Sequence, residues 1–406
     1  MRKARITIIV SCFIIAFSCN IQASDDFKKI GYIPFYKVGM VDDLDFEGLT
    51  HLNIAFANPD SYGNLHTKTY DYSPLVKKAH AHDVDVFISL AGGGLSSELS
   101  TLWETLMSPS NRSWYISKIA EYVLRNGLQG ADMDLEWGDV NQYYSDFILE
   151  MRDTFDVYEL GLTVALPAVK RFDPITDEAL QAFDWINMMV YDARGPWNPD
   201  NPGPHASMDF ALQAIDFWRG QGIPASKLVL GVPFYGYDFS DKDKVRSVHY
   251  SALVASRSTN AYVDQSGQVY YNGIRTILDK LKLAYGELGG IMMWELGQDA
   301  TNAFSLWANI KRELFFYEFQ KKKLLTAGLN KENVTSFDRI LEIDLDRVSS
   351  GFARIIDMNG QITNEQTFSN TKKLNIKTSD VPNGVFVVEV IGTDSNQRYK
   401  AIKLDP

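Results

Sequence analysis

The chain has 406 residues, of which 45% are hydrophobic and 13% are aromatic, and its formal net charge is −11. This length and composition predict a soluble chain with one large domain and one smaller domain. The acidic balance argues against nucleic acid and anionic membrane surfaces as partners, because both carry the same sign of charge as the protein.

The first 24 residues have the pattern of an export signal. A basic start, MRKAR, precedes the apolar run ITIIVSCFIIAF, which is too short to span a membrane. Two processing routes stay open: cleavage before Ser24, or attachment of a lipid anchor at Cys19. Cys12 and Cys19 are the only cysteines. We therefore expect no disulfide and no thiol chemistry in the exported chain, and we find no other candidate membrane span.

Eight short apolar runs, rich in residues that favour β-strands, recur between residues 28 and 300. They are residues 29–36, 51–57, 84–92, 128–137, 160–168, 185–192, 228–236 and 288–296. Segments with helical periodicity separate most of them, at residues 73–82, 113–127, 211–222 and 274–286. Strands that alternate with helices predict parallel pairing, and a set of eight predicts a closed (β/α)8 barrel. A doubly wound open sheet is the alternative, but no glycine-rich dinucleotide loop follows the first strand.

The character of the sequence changes after residue 320. Residues 337–404 contain alternating strand patterns with turn signals at 358–360, 382–384 and 393–396, and they have no helical period. This pattern predicts a small all-β sandwich. We therefore divide the chain into a signal peptide (1–24), a barrel (25–320), a linker (321–335) and a C-terminal sandwich (336–406).

The fourth strand candidate contains three carboxylates at alternate positions, Asp132, Asp134 and Glu136. Successive carboxylates on one face of a strand lie roughly 6–7 Å apart. In a barrel, this face points into the interior, where three unpaired charges are costly, so at least one carboxyl must hold its proton. Glu136 lies nearest the C-terminal mouth, where barrels place their chemistry. A carboxyl that is protonated near neutral pH suits a general acid for glycoside cleavage.

Five motifs give this chain a resemblance to glycoside hydrolase family 18, the chitinases and endo-β-N-acetylglucosaminidases. GADMDLE resembles the family's D-G-x-D-x-D-x-E signature, with Gln129 in place of the first Asp. SLAGG (89–93) resembles S-x-G-G, with Ala91 in place of the first Gly. MVYD (189–192), GVPFYG (231–236) and GGIMMWELGQDA (289–300) are similar to the motifs of the sixth, seventh and eighth strands. The resemblance covers about residues 28–310.

The resemblance implies a retaining, substrate-assisted reaction, in which the 2-acetamido oxygen of the sugar attacks the anomeric carbon. It implies that Glu136 is the acid and then the base, that Asp134 binds the acetamide N–H, and that Asp132 orients Asp134. It also implies that Tyr191 donates to the acetamide oxygen and that Trp294 forms the floor below the reacting sugar. Asp192 would bind sugar hydroxyls, although capping of the following helix is the structural alternative.

Further residues near the predicted strand ends are candidates for substrate binding. They are Trp197, Tyr32, Tyr235, Met189 and Trp137. Packing alone is the alternative for these side chains, as it is for Tyr191 and Trp294. The connection at about residues 237–287 has room only for a reduced version of the insertion that deepens the cleft in many chitinases.

The expected function is therefore that of an exported glycosidase acting next to N-acetylglucosamine, on chitin or its oligomers. Cleavage of N-glycans or bacterial glycans is the second reading, and a chitinase-like lectin is the third. We expect a monomer without a cofactor. We also expect no metal site, because no H-E-x-x-H or clustered His/Cys set occurs.

The last 70 residues resemble the C-terminal sorting domain of type IX secretion in Bacteroidetes, through RIIDMNGQI, VPNGVFVVEV and YKAIKL. This resemblance implies secretion or cell-surface display in a Gram-negative bacterium. The alternative for this segment is a carbohydrate-binding or spacer sandwich.

Overall fold

The computed structural model describes residues 27–67, 70–327, 334–337, 340–356, 362–378, 381, 384–392 and 396–403. The predicted signal peptide and Cys19 lie outside these residues. The chain divides into two compact units, Met1–Phe315 and Phe316–Pro406. The helix Leu306–Ala327 crosses this boundary, so residues 321–327 of the predicted linker are helical.

Eight parallel strands form a closed barrel in the first unit, at the eight predicted positions. They are β1 (Lys28–Pro34), β2 (His51–Pro59), β3 (Asp85–Ala91), β4 (Gly130–Asp134), β5 (Gly161–Pro167), β6 (Ile186–Met189), β7 (Leu228–Pro233) and β8 (Gly290–Trp294). Each strand pairs in parallel with its neighbours, and β1 pairs with both β2 and β8. The register joins Lys28 to Gly290 and Ile30 to His51. This closure confirms the (β/α)8 barrel and excludes the open sheet.

Helices lie between the strands and cover the outside of the barrel. In chain order, the α-helices described in this unit and at its boundary are α1 (Ser73–His80), α2 (Ser97–Met107), α3 (Arg112–Arg125), α4 (Tyr144–Val157), α5 (Asp177–Ala182), α6 (Met208–Gly220), α7 (Tyr250–Ser256), α8 (Ile274–Glu287) and α9 (Leu306–Ala327). All residues of β4 and β7 are buried. Burial on both faces is the reason why β7 reads as a continuous apolar run, whereas in β4 two buried aspartates alternate with apolar residues.

A small insertion separates β7 from β8. Four short strands form its sheet, at Arg246–His249, Tyr235–Asp238, Val269–Tyr270 and Gln265–Ser266 in spatial order, and α7 belongs to the same connection. The pairs in this sheet are antiparallel. The connection therefore contains both strands and a helix, as a reduced version of the expected insertion should.

The second unit contains a small, mainly antiparallel β-structure. Its strands are β9 (Val334–Phe337), β10 (Ile340–Ile356), β11 (Ile362–Lys377), β12 (Gly384–Gly392) and β13 (Asn396–Lys403), in the sheet order β9–β13–β12–β10–β11. Only the β9–β13 pair is parallel among the described pairs. Alternate residues of three strands form its apolar core, which includes Ile343, Ile355 and Val388. The expected small β-unit at the C-terminus is therefore present.

Among the residues that the structure describes, no helix is long and apolar enough to cross a lipid bilayer.

Candidate active site

The three carboxylates lie at the C-terminal end of β4, and the row leads from the barrel interior to its mouth. Asp132 is fully buried and Asp134 is 4% exposed. Glu136 follows two residues beyond the end of the strand and is only partly buried. Alternation along an extended chain places the three side chains on one face, and the apolar side chains of Met133 and Leu135 are buried. The acidic face is therefore an interior face, as predicted.

Asp132 is held at the base of the row by four hydrogen-bond donors. The hydroxyls of Tyr32, Ser89 and Thr163 each donate to its carboxylate at 2.7 Å, and Asn187 Nδ2 donates at 3.1 Å. Burial raises the pKa of Asp132 above its usual range, and the four donors oppose this rise. These contacts fix the orientation of the carboxylate from four different strands.

Asp134 has a different environment, because one of its oxygens is available. Burial, together with the charges of Glu136 and Asp132, raises the pKa of Asp134 well above its usual range. Its Oδ1 is buried and has no hydrogen-bond partner among the described residues. A buried, unpartnered oxygen suits a ligand group that donates a hydrogen bond.

Glu136 has the properties of a proton donor that operates near neutral pH. Burial and the nearby charge of Asp192 raise the pKa of Glu136 to about 7, against an ordinary value of 4.5. A carboxyl with this pKa is about half protonated at pH 7, so it can both give and accept a proton.

The glycine-rich loop after β3 makes the space for the Glu136 carboxylate. A Cβ atom added at Gly93 would lie 2.6 Å from Glu136 Oε1 and 3.1 Å from its Cδ, so only glycine fits the present position. Gly92 donates its N–H to the backbone oxygen of Asp134 at 3.0 Å. Ala91 takes φ of +76° at the position where the family motif has glycine, a conformation that costs an L-residue about 1–2 kcal/mol.

Tyr191 and Asp192 follow β6 and face the same region. Tyr191 is 8% exposed, and burial, followed by the charges of Asp134, Asp192 and Glu136, raises its pKa well above the usual range. The Asp192 carboxylate accepts hydrogen bonds from the hydroxyls of Tyr235 and Tyr237, the latter at 3.1 Å. Its contacts are therefore with phenols of the insertion, and the helix-cap alternative has no described contact to support it.

The aromatic candidates divide into buried and exposed groups. Tyr32 and Tyr235 are 1% and 5% exposed, and their hydroxyls donate to Asp132 and Asp192, so these two tyrosines support the carboxylates from the interior. Trp294 is partly exposed, and its ring packs against Tyr32 at 5.5 Å and stacks on Phe56 at 5.7 Å between centroids.

Three further candidates lie around the mouth. Trp197 is 57% exposed, and its ring packs edge-on against Tyr237. Trp137 is 59% exposed, and Lys170 Nζ lies 4.9 Å from the centre of its ring. Met189 packs, partly buried, against the apolar side chains below the mouth. The two tryptophans therefore present faces that a ligand can reach.

Gln129, which departs from the family signature, lies at the opposite end of β4. Its Oε1 accepts hydrogen bonds from Val86 N at 2.8 Å and from His80 Nε2 at 3.0 Å, and its Nε2 donates to the backbone oxygen of Gly127. Gln129 therefore joins neighbouring segments at the base of the barrel and does not contact the acidic row.

Sequence reasoning missed Thr163, Asn187, Tyr237 and His205 as residues of this site, and it gave no role to Ser89 of the SLAGG motif. Thr163 and Asn187 are polar residues within otherwise apolar strands, a signal that was visible in the sequence. His205, which contacts Asp192, lies in a loop with no motif around it. Among the described residues, no group of three His, Cys, Asp or Glu side chains is arranged to hold a metal ion.

Comparison with known proteins identifies the family. The family described as "Glycosyl hydrolases family 18" matches residues 24–299. The GH18 chitinase ChiB from the chitin utilization locus of Flavobacterium johnsoniae is 40% identical, with a TM-score of 0.69, over 71% of this chain and 93% of that chain. A chitinase from Bacteroides thetaiotaomicron is 28% identical, with a TM-score of 0.63, over 71% and 96% of the two chains.

Further relatives are described as chitinases or as chitinase-like. Class V chitinase CHIT5 of Lotus japonicus is 22% identical over 351 residues, which are 76% of this chain and 86% of that protein. A chitinase-like effector of Moniliophthora roreri is 28% identical over 225 residues. The chain spans 54% of the length of this effector and 10% of that of probable chitinase 10 of Drosophila melanogaster. The family match nevertheless covers more than half of the chain, which therefore belongs to glycosyl hydrolase family 18.

Proposed function

We propose that this protein hydrolyses β-1,4 glycosidic bonds next to N-acetylglucosamine, with chitin or chitooligosaccharides as the first-choice substrate. The observation that carries this proposal is Glu136, a carboxyl at the mouth of the barrel whose pKa of about 7 lets it hold a proton at neutral pH. Glycoside cleavage needs a proton for the departing oxygen, and the two buried aspartates behind Glu136 suit the charge that develops at the sugar.

In the first half of the reaction, the acetamido oxygen of the sugar forms a bond to the anomeric carbon as the glycosidic C–O bond breaks. Glu136 gives its proton to the departing oxygen. Asp134 accepts a hydrogen bond from the acetamide N–H through its unpartnered Oδ1 and offsets the positive charge of the oxazolinium ion that forms.

In the second half, water attacks the anomeric carbon from the side that the leaving group vacated. Glu136, now ionised, takes a proton from this water, the bond to the acetamido oxygen breaks, and the sugar regains its original configuration. Two displacements at one carbon give net retention. The same carboxyl thus acts first as acid and then as base, a role for which a pKa near 7 is suitable.

Asp132 and Tyr191 assist this reaction, the first through Asp134 and the second through the acetamido oxygen. Asp132, held by four donors, orients Asp134 and raises its pKa, so that the pair shares a proton. Tyr191 donates its hydroxyl to the acetamido oxygen. The raised pKa of Tyr191 supports this assignment, because the phenol keeps its proton throughout the working range of pH.

The sugar rings are bound by aromatic and acidic side chains around the mouth. Trp294 forms the apolar floor below the reacting sugar, and the exposed rings of Trp197 and Trp137 stack on neighbouring sugars. Asp192 accepts hydrogen bonds from sugar hydroxyls. These aromatic surfaces suit a neutral polysaccharide, and the net charge of −11 raises no barrier to such a substrate.

Relatives named as chitinases support chitin as the first choice. Cleavage of N-glycans or other glycans is the second candidate, and a chitinase-like role without catalysis is the third; one similar protein is described as a chitinase-like effector. The presence of Glu136 favours catalysis over this role.

We further propose that the protein is exported, with residues 1–24 as the signal and with either cleavage before Ser24 or attachment of a lipid at Cys19. The β-unit that follows the barrel serves in sorting. Deletion of residues 335–406 tests this assignment: the truncated protein is retained in the cell if the unit sorts. Normal export combined with lost binding to insoluble chitin would instead identify a carbohydrate-binding unit.

The variant Glu136→Gln tests the proposed reaction. It removes the proton donor while it keeps size and shape, so we expect turnover of chitooligosaccharides to fall about 10²–10⁴-fold while oligosaccharide binding is retained. Glu121→Gln, an exposed side chain on α3, is the matched control and should leave turnover unchanged. Equal rates for wild type and Glu136→Gln would refute the assignment.

Two further measurements separate the candidate functions. A thiazoline mimic of the oxazolinium ion should inhibit, and no inhibition at saturating concentration would contradict the acetamido mechanism. Analysis of products from chitin oligomers and from an N-glycoprotein, side by side, identifies the substrate. Binding of oligomers without any product would support the role without catalysis.

A further inference from the structure

Asp192 has a strained backbone, and its charge affects the pKa of Glu136. Its φ is +64°, in the left-handed region that non-glycine residues seldom occupy. Its charge is the largest contribution after burial to the raised pKa of Glu136. The orientation of Asp192 therefore matters to the proposed proton donor, and something must hold this residue in place.

The side chain of His205 lies directly behind Asp192. It is 1% exposed, and its Nδ1 lies 3.4 Å from the backbone nitrogen of Asp192 and 3.5 Å from its Oδ1. The other ring nitrogen, Nε2, lies 3.2 Å from the backbone oxygen of Tyr235. A carbonyl oxygen only accepts hydrogen bonds, so Nε2 carries the hydrogen, and in the neutral ring Nδ1 accepts the N–H of Asp192.

The backbone around His205 is fixed from both sides. The backbone oxygen of His205 accepts a hydrogen bond from Ala193 N at 3.0 Å. The next carbonyl, that of Ala206, accepts one from Lys280 Nζ at 2.8 Å. Lys280 is fully buried on α8 and also donates to Asn272 Oδ1. Burying an ammonium group that bonds only to uncharged oxygens costs free energy of folding. Here these hydrogen bonds anchor the loop that carries His205.

We propose that His205 is a positioning residue, which holds Asp192 through its backbone N–H so that the Asp192 carboxylate stays between the two insertion phenols and close to Glu136. This assignment rests on the proposed role of Glu136 as the proton donor. The groups that face His205 are Asp192 after β6, Tyr235 and Tyr237 of the insertion, and Lys280 of α8 through Ala206. Those that act on Glu136 are Asp134, Asp192 and Asp139.

Two polar substitutions separate the two hydrogen bonds of the ring. In His205→Asn the amide oxygen lies close to the former Nδ1 and can still accept the N–H of Asp192. In His205→Gln the amide nitrogen lies close to the former Nε2 and can still donate to Tyr235, but the bond to Asp192 is lost. The proposal predicts different results for the two variants, whereas a role in packing alone predicts similar ones.

The measurement is the pKa of the Glu136 carboxyl, obtained by carbon-13 NMR of the glutamate-labelled full chain. The Glu136 signal is assigned by its absence in Glu136→Gln. We expect His205→Gln to lower this pKa by roughly one unit, because Asp192 moves away and a like charge is removed. His205→Asn should keep the wild-type value. Since this titration needs no turnover, its result is independent of whether the protein hydrolyses chitin.

A double-mutant comparison and a control complete the test. If His205 acts through Asp192, then Asp192→Asn and the pair Asp192→Asn/His205→Gln give the same Glu136 pKa. His51→Gln, at the opposite end of the barrel on β2, should leave it unchanged. The same pKa in wild type and both His205 variants, an equal fall in both, or additive effects in the double mutant would overturn the proposal.

Discussion

The substitution Gly93→Ala tests how closely the loop after β3 fits the proposed proton donor. The added Cβ would lie 2.6 Å from Glu136 Oε1, whereas ordinary van der Waals contacts begin at 3.4 Å. Gly93 does not have a left-handed backbone, so alanine meets no conformational strain there. The atoms it meets belong to the end of a flexible side chain, and we therefore expect the carboxylate to move by about 0.8 Å or more, while the barrel stays folded.

A displacement of this size should have a large effect on the rate of catalysis and a small effect on the stability of the fold. Misplacement of a catalytic group by about 1 Å can cost about 10²-fold in rate, or close to 3 kcal/mol of transition-state stabilisation. We expect kcat/KM for a chromogenic chitooligosaccharide to fall by about this factor, with an unfolding temperature within a few degrees of wild type.

Gly138→Ala is the matched control for this experiment. Gly138 lies two residues after Glu136, and a Cβ added there meets no atom within 4 Å. Its activity should stay within about twofold of wild type. If Gly93→Ala also retained nearly full activity, the Glu136 carboxylate would not be held where the structure places it, and the reasoning would be refuted.

Three other predictions follow from the same geometry. Since the pKa of Glu136 is raised to about 7, kcat/KM should fall tenfold per pH unit above that value, and a constant rate from pH 6 to 9 would contradict the acid role. Asp132→Ala leaves four buried donors without their acceptor, so the free energy of unfolding should drop by about 3 kcal/mol or more, measured in urea; an unchanged midpoint would contradict this. Gln129→Ala removes the acceptor for Val86 N–H and should cost about 1–2 kcal/mol while steady-state turnover is unaffected; a large loss of turnover would show that the two ends of β4 are coupled.

The carboxylates differ in their surroundings more than in their spacing. Asp132 meets four donors, Asp134 has one oxygen without a partner, and Glu136 lies partly exposed beside a glycine. These different surroundings support the proposed division of roles, in which Asp132 orients Asp134, Asp134 accepts a hydrogen bond from the substrate, and Glu136 exchanges a proton. Environment separates these roles, as it does for paired carboxylates in general.

The sequence alone determined the architecture of the barrel and the facing of its acidic strand. Both depend on local patterns: eight apolar runs, helical periods between them, and a two-residue alternation in β4. An extended chain has only two faces, and in a closed barrel one of them must point inward. For this reason the row Asp132, Asp134 and Glu136 could be assigned to the interior before any distance was known.

Only the tertiary structure decided which residues surround that row. The four donors to Asp132 come from four different strands, and their meeting depends on the register with which the barrel closes. Substrate binding and packing were both open for Tyr32 and Tyr235; the structure buries both rings and places their hydroxyls on Asp132 and Asp192. His205 contacts Asp192 from thirteen positions further along the chain, and no periodic pattern encodes such a contact. Local periodicity specifies which face of a strand or helix a side chain lies on. Contacts across the barrel depend instead on how the barrel closes, on the register of its strands and on the course of its loops.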